Sequence, residues 1–304
     1  MSLFEVMGFF ETGLVFSILA LGTFISFRIL RFPDLSVEGT FPLGAAVGAV
    51  LIANGLNPWV STVLAGCAGF AAGALTASLH VRFQIIPILS GILVAVALYS
   101  INLRIMGGPN KPLLGSETVF DAPARWLSQP SYITNVAVLI GVVLLIKVAL
   151  DLMFKTGFGF ALRATGSNAE MARAAGINVG LTTIAGLGLA NALTAISGAL
   201  FAQIFGGADV YAGTGVIITG LASVIVGMSI FPSRTMILAT FACIFGSIAY
   251  RASVGIALNA DVLGLRASDL QLVTALLVAV TLILQAGGWL ELRLRFFGVQ
   301  GVKK

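Results

Sequence analysis

Long apolar runs separated by short polar breaks dominate the chain. A helix that crosses lipid needs about 20 mostly apolar residues. Seven stretches meet that length: 12–30, 59–79, 85–103, 132–150, 181–203, 214–230 and 236–257. The run 270–286 makes an eighth. A further run, 41–53, is too short to cross straight, and it follows Pro33, Asp34, Glu38, Gly39 and Pro42. Residues 33–53 are therefore read as a broken or re-entrant ninth segment. Irregular backbone is tolerated at membrane depth where it faces protein or a wet cavity. The pattern predicts an all-α fold, a polytopic membrane helical bundle of about nine transmembrane segments in one domain over 1–304.

Composition excludes the main alternatives. Only 10% of the 304 residues are charged and 58% are hydrophobic, against about 25% charged in soluble domains. A soluble enzyme, a nucleic-acid-binding domain and a disordered chain are all incompatible with that. Gly makes up 36 residues, which suits helices packed closely in lipid. Cys67 and Cys243 are too few for a disulfide framework and are expected to be small buried hydrophobes. No Lys or Arg precedes Arg28, so the basic region of a cleaved signal peptide is missing.

The net charge of +5 reads as loop bias rather than nucleic-acid binding. With nine passes and the C-terminus in the cytoplasm, twelve basic residues lie inside, among them Arg28, Arg31, Arg82, Lys155, Arg163 and Arg173. Five lie outside: Arg104, Lys111, Arg125, Arg251 and Arg266. This is the direction of the positive-inside rule and sets the N-terminus outside. The polar stretch 105–131 then lies outside and 151–180 inside. Trp59, Trp126 and Trp289 fall at interfaces as aromatic anchors.

The two halves share an order of landmarks. Pro33-Asp34-Leu35-Ser36-Val37-Glu38-Gly39-Thr40 resembles Ala208-Asp209-Val210-Tyr211-Ala212-Gly213-Thr214. Pro58 and Pro232 follow at similar distances, then Gly73 and Gly246, then the pairs Gly107-Gly108 and Gly287-Gly288. Residues 12–108 and 181–288 are therefore expected to be inverted repeats, a common transporter construction with the pathway at the repeat interface. The helix at 132–150 supplies the odd crossing that inversion requires. Chance similarity of small residues in two apolar blocks is the other explanation.

The cytoplasmic stretch 151–180 contains RATGSNAEMARAAGINV at 163–179. Ser167 or Asn168 can N-cap a short helix, with Glu170 in its first turn. The Ala-rich run favours helix, and Gly176 fits a left-handed stop. A helix of about two turns flanked by turns is expected at 167–176, with Glu170 and Arg173 able to set its register in a partner's groove. A solvated connector is the plainer alternative.

This motif resembles the cytoplasmic loop of bacterial ABC importer permeases of the branched-chain amino acid and ribose type, which has the same Thr-Gly-x-Asn, Ala-Arg and Gly-Ile order. PDLSVEGTFPLGAA at 33–46 is similar to that family's Asp-Leu-Ser-Val-Gly segment. This chain departs by inserting Glu38 before the Gly, and it lacks the extra N-terminal helix of the sugar permeases. The resemblance covers most of the chain. It implies a permease homodimer in the bacterial inner membrane, two ATP-binding subunits and an extracytoplasmic solute-binding protein. It also implies that 167–176 is a coupling helix, with Thr165, Gly166, Ser167, Asn168, Glu170, Arg173 and Gly176 forming the ATPase-coupling site. No Gly-x-x-x-x-Gly-Lys-Ser/Thr motif occurs in the chain, so ATP is expected on the partner, with no cofactor in this chain. The chain is read as a transport subunit rather than an enzyme.

Ionisable residues near lipid are functional by default. Asp34 and Glu38 can cap the half-helix at 41–53, gate a pathway or bind a cation. Asp209 is placed at the outer mouth or in a surface loop. Ser90, Asn191 and Thr194 either bond neighbouring helices or line the pathway. Lys147 is expected to snorkel to the inner interface and His80 to sit at a boundary. An ion-coupled secondary transporter using Asp34 or Glu38 is the alternative function. Against it stands the absence of a charged residue in the middle of a strong helix.

Overall fold

The computed structural model describes residues 3–127, 131–231, 235–258, and 275, 276 and 279. Helix α1 (Leu3–Thr23) continues through a π turn, Phe24–Ile29, and an extended stretch then leads to α2 (Val37–Ala53). Helices α3 (Pro58–Phe83) and α4 (Pro87–Met106) follow. Strand β1 (Asn110–Pro112) and the short α5 (Asp121–Leu127) precede α6 (Ser131–Lys155). Then come α7 (Gly157–Ser167), α8 (Ala169–Ala174) and α9 (Val179–Phe205). Strand β2 (Gly207–Asp209), a 3₁₀ turn Val210–Gly213, α10 (Val216–Ile230) and α11 (Met236–Leu258) complete the described chain.

Local chemistry sets several of these boundaries. Asn57 accepts the Trp59 N–H and Pro58 occupies the first position of α3, an arrangement pre-set for a helix start. Asn178 caps α9 in the same way, and left-handed Gly206 ends it.

Seven helical spans among the described residues are long and apolar enough to cross a membrane. They coincide with the seven runs read from sequence; the run 270–286 lies almost entirely outside the described residues. The ninth segment is broken as expected, but its helix begins at Val37 rather than near residue 41. Pro42 sits in its second turn, where it removes one backbone bond without ending the helix. Twelve of the seventeen residues of α2 are buried, so this short helix is enclosed by protein.

The two halves interlock. Helix α9 packs on α2 and α3, while α1 packs on α10 and α11. The leading helix of each half is thus held by helices of the other. Small residues permit the approach: a Cβ on Gly44 would overlap the Ala195 backbone, and one on Gly198 the Phe41 carbonyl. Polar ties add to this packing. Ser197 Oγ donates to the Val15 carbonyl at 2.8 Å, and Gln203 Nε2 donates to Thr62 Oγ1 at 3.0 Å.

One end of the bundle carries α7 and α8, and the other the antiparallel pair β1–β2, with Asn110 opposite Asp209. Helix α9, about 40 Å long at 1.5 Å per residue, separates the two ends. The sequence pattern did not reveal these three-residue strands or α7.

Two side chains, Cys67 and Lys147, depart from expectation. Cys243 is buried but Cys67 is exposed on α3, because its neighbours fill the inner face. Lys147 is half-buried in an ion pair with Asp151, whose other oxygen accepts from Thr240 at 2.7 Å; it joins α6 to α11 instead of reaching for an interface. His80 Nδ1 meets the Ile85 carbonyl at 2.8 Å and its ring packs edge-on to Phe32.

Candidate functional site

The middle of the bundle is organised by the stretch before α2. Asp34 is fully buried. Its Oδ1 accepts the Ser36 N–H at 2.8 Å and the Ser36 hydroxyl at 2.6 Å, and its Oδ2 accepts Asn191 Nδ2 at 2.6 Å. These bonds turn the chain into α2 and tie it to the centre of α9. In the stretch 208–214, which resembles 33–40 in sequence, Asp209 Oδ1 accepts the Tyr211 N–H at 2.8 Å. Asp34 and Asp209 therefore make the same local turn, one buried and one exposed.

Glu38 lies one turn further on, half-buried, and its Oε1 accepts the Gly215 N–H at 3.3 Å. Gly215 is the N-cap residue of α10. The carboxylate thus spans from the first turn of α2 to the positive end of α10, a favourable place for negative charge. Pro42 has no N–H to offer the Glu38 carbonyl. Gly213 packs directly against that carbonyl, where any Cβ would overlap it.

Two cavities meet at Glu38 and Thr214. One, of about 420 Å³, is bordered by Asn102, Tyr99 and Tyr211, whose hydroxyls lie 3.3 Å apart. The other, of about 560 Å³, is bordered by Phe16, Phe201, Phe205 and Arg251. Both volumes fall in the range of small-molecule sites. Among the pathway candidates named from sequence, only Glu38 borders these cavities. Asp34, Ser90, Asn191 and Thr194 are fully buried, and each bonds to a nearby backbone or side-chain group. Asp209 is exposed at the end of β2.

Arg251 was missed as a site residue and counted only as an outer charge. It lies within α11, so a strong helix does carry a charge in its interior, contrary to expectation. The signal was there, since an Arg inside the apolar run 236–257 demands a use. Its guanidinium sits 3.8 Å from the centre of the Phe16 ring, and its Nε is buried without a hydrogen-bond partner.

At the far end, Asn168 Oδ1 accepts the N–H groups of Glu170 and Met171, each at 3.0 Å. Asn168, not Ser167, is therefore the cap of α8, because Ser167 ends α7. Left-handed Gly176 closes α8: its N–H bonds to the Arg173 carbonyl at 2.9 Å, and the Ile177 N–H to Ala172 at 3.0 Å. Glu170, Met171 and Arg173 are exposed, while Ala172 is buried. The loop is anchored by α7, which buries Gly159, Leu162 and Thr165 along one face. Gly166 meets Ile29 so closely that a Cβ would overlap its carbonyl. The coupling candidates thus divide: Thr165 and Gly166 anchor, Asn168 and Gly176 shape, and Glu170 and Arg173 face outward.

Apolar crossing helices, two cavities that meet at Glu38 and Thr214, and a capped helix projecting at the opposite end fit a multi-pass membrane permease. The chain belongs to the family of branched-chain amino acid transport system permease components, whose profile matches residues 6–286. It is 40% identical over 266 residues to a tyrosine transport system permease protein of Clostridioides difficile (strain R20291), covering 88% of this chain and 86% of that protein. It is 33% identical over 278 residues to an uncharacterised protein of Rickettsia prowazekii (strain Madrid E), covering 90% and 94%. A fructose import permease of Bifidobacterium longum (strain NCC 2705) is 27% identical over 146 residues, covering 47% and 40%. No solved structure matches. The protein is a multi-pass inner-membrane ABC transporter permease.

Proposed function

We propose that this chain is the membrane-spanning subunit of an importer that carries a small polar solute inward by alternating access. The solute class is amino acid, sugar or nucleoside-like. Two copies form the pathway, surrounded by lipid, and two separate ATP-binding subunits drive it. A solute-binding protein delivers cargo from outside. The two halves, 12–108 and 181–288, act as inverted repeats that rock about the contact of α2 with α10.

The observation that carries this reading is α8. It is a very short helix, capped at both ends, with its polar side chains exposed, and it follows α7, whose Gly166 is seated on the π turn after α1. Motion imposed on α8 by a partner would pass through α7 to α1 and α9, which border the cavity beside Glu38. The test is to disrupt α8 with Gly176→Pro or Glu170→Arg in the assembled transporter. Loss of subunit assembly, or ATP hydrolysis without transport, is expected. Transport unchanged in both variants would overturn the role of α8.

A further inference from the structure

The cavity of about 420 Å³ is bordered by Tyr99 and Tyr211, which come from different halves of the chain. Tyr99 stands on α4, and Tyr211 in the 3₁₀ turn that follows β2. Their hydroxyls lie 3.3 Å apart, close enough for either to donate to the other, and their ring centres are 6.2 Å apart. Glu38 borders the same cavity. A tyrosine that only anchors a helix at a membrane interface directs its hydroxyl to headgroups and water. These two direct theirs at each other.

Each ring has a separate mount. Asn102 Nδ2 donates to the Gly39 carbonyl at 3.1 Å, and a Cβ on Gly39 would press on the Ala95 backbone. Helix α4, with Tyr99, is thereby clamped to α2. Tyr211 is fixed to the β1–β2 end instead. Its N–H donates to Asp209 Oδ1 at 2.8 Å, and the neighbouring Val210 N–H donates to the Pro109 carbonyl at 3.0 Å. The two mounts touch where Gly213 packs on the Glu38 carbonyl. Rotation about that contact moves one ring relative to the other. A bond between two exposed, neutral hydroxyls is weak, so it holds the pair at rest and releases under such a motion.

We propose that Tyr99 and Tyr211 are a latch on this cavity. Paired, they close it at the β1–β2 end; parted, they open it toward Glu38. This inference rests on the permease reading, in which the two halves rock about the contact of α2 with α10.

The test reads access to the cavity in the full chain in lipid nanodiscs. Ala95 borders the cavity one turn before Tyr99, on the same face of α4. In a Cys67→Ala/Cys243→Ala background, Ala95→Cys is reacted with a charged methanethiosulfonate reagent. Tyr99→Phe and Tyr211→Phe each keep the ring and remove a hydroxyl. Each should raise the labelling rate at Ala95→Cys at least about threefold, and the double variant should add nothing further, because both remove the same bond. Leu114→Cys, at an exposed residue beside β1, should label at one rate throughout, which verifies that the fold is intact. Thr214→Cys, on the facing wall of the cavity, replaces the reporter if Ala95→Cys does not fold. A smaller rise in either Phe variant, or effects that multiply in the double variant, would overturn the latch. ATP-driven uptake by the unsubstituted chain, measured separately in vesicles, decides the permease reading.

Discussion

Asn191 Nδ2 donates to Asp34 Oδ2 at 2.6 Å, bridging the centre of α9 to the turn that launches α2. Asn191→Leu would leave a buried carboxylate short of a partner. A loss of about 2–4 kcal/mol is expected, as for a broken charge-assisted bond. Asp34→Asn keeps the shape and should cost less. Thermal unfolding of the purified protein in detergent checks both, and an unchanged midpoint for Asn191→Leu would contradict the bridge.

Gly213 lies against the Glu38 carbonyl with no space for a methyl group, whereas Gly141 in α6 has nothing nearby. Gly213→Ala is therefore expected to lower the unfolding midpoint and reduce transport. Gly141→Ala should be neutral, or stabilising by up to about 1 kcal/mol through helix propensity. Equal effects at the two positions would show that the contact of α2 with the 3₁₀ turn before α10 is not tight.

The Asn168 cap predicts a graded effect on coupling. Asn168→Ala should destabilise α8 by about 1 kcal/mol and lower transport-linked ATP hydrolysis in the assembled complex. Ser167→Ala, which removes no capping bond of α8, should leave it unchanged. The two variants are compared by ATPase rate with and without the solute-loaded binding protein.

Orientation is tested by labelling. In a Cys67→Ala/Cys243→Ala background, a membrane-impermeant maleimide should reach Leu114→Cys in intact cells. Leu114 is 89% exposed beside β1. Ser167→Cys should label only after permeabilisation. The reverse pattern would place α8 outside and remove any contact with a cytoplasmic ATPase.

Length and hydropathy made the crossing helices legible, since a span is a local property of about 20 residues. The cap and stop of α8 were legible for the same reason: Asn168 and Gly176 act on backbone within three residues. Helix α7 was not, because Gly157, Gly159 and Gly166 lower its propensity, and contacts with Phe154 and Ile29 hold it instead. The partner of Asp34 was unreadable, being 157 residues away. Arg251 carried a signal in its apolar surroundings, yet only the fold brings it to one cavity with Glu38. Of the polar candidates, Ser90, Asn191 and Thr194 looked alike in sequence, yet Ser90 and Thr194 bond back to carbonyls four residues earlier, and only Asn191 reaches across, to Asp34.

The most direct measurement is uptake into proteoliposomes containing this chain, with and without its ATP-binding subunits, using labelled phenylalanine, ribose and uridine. The account predicts accumulation of one solute only when the ATP-binding subunits, internally accessible ATP and the binding protein are all present. Uptake by the chain alone, driven by a proton or sodium gradient, would contradict it.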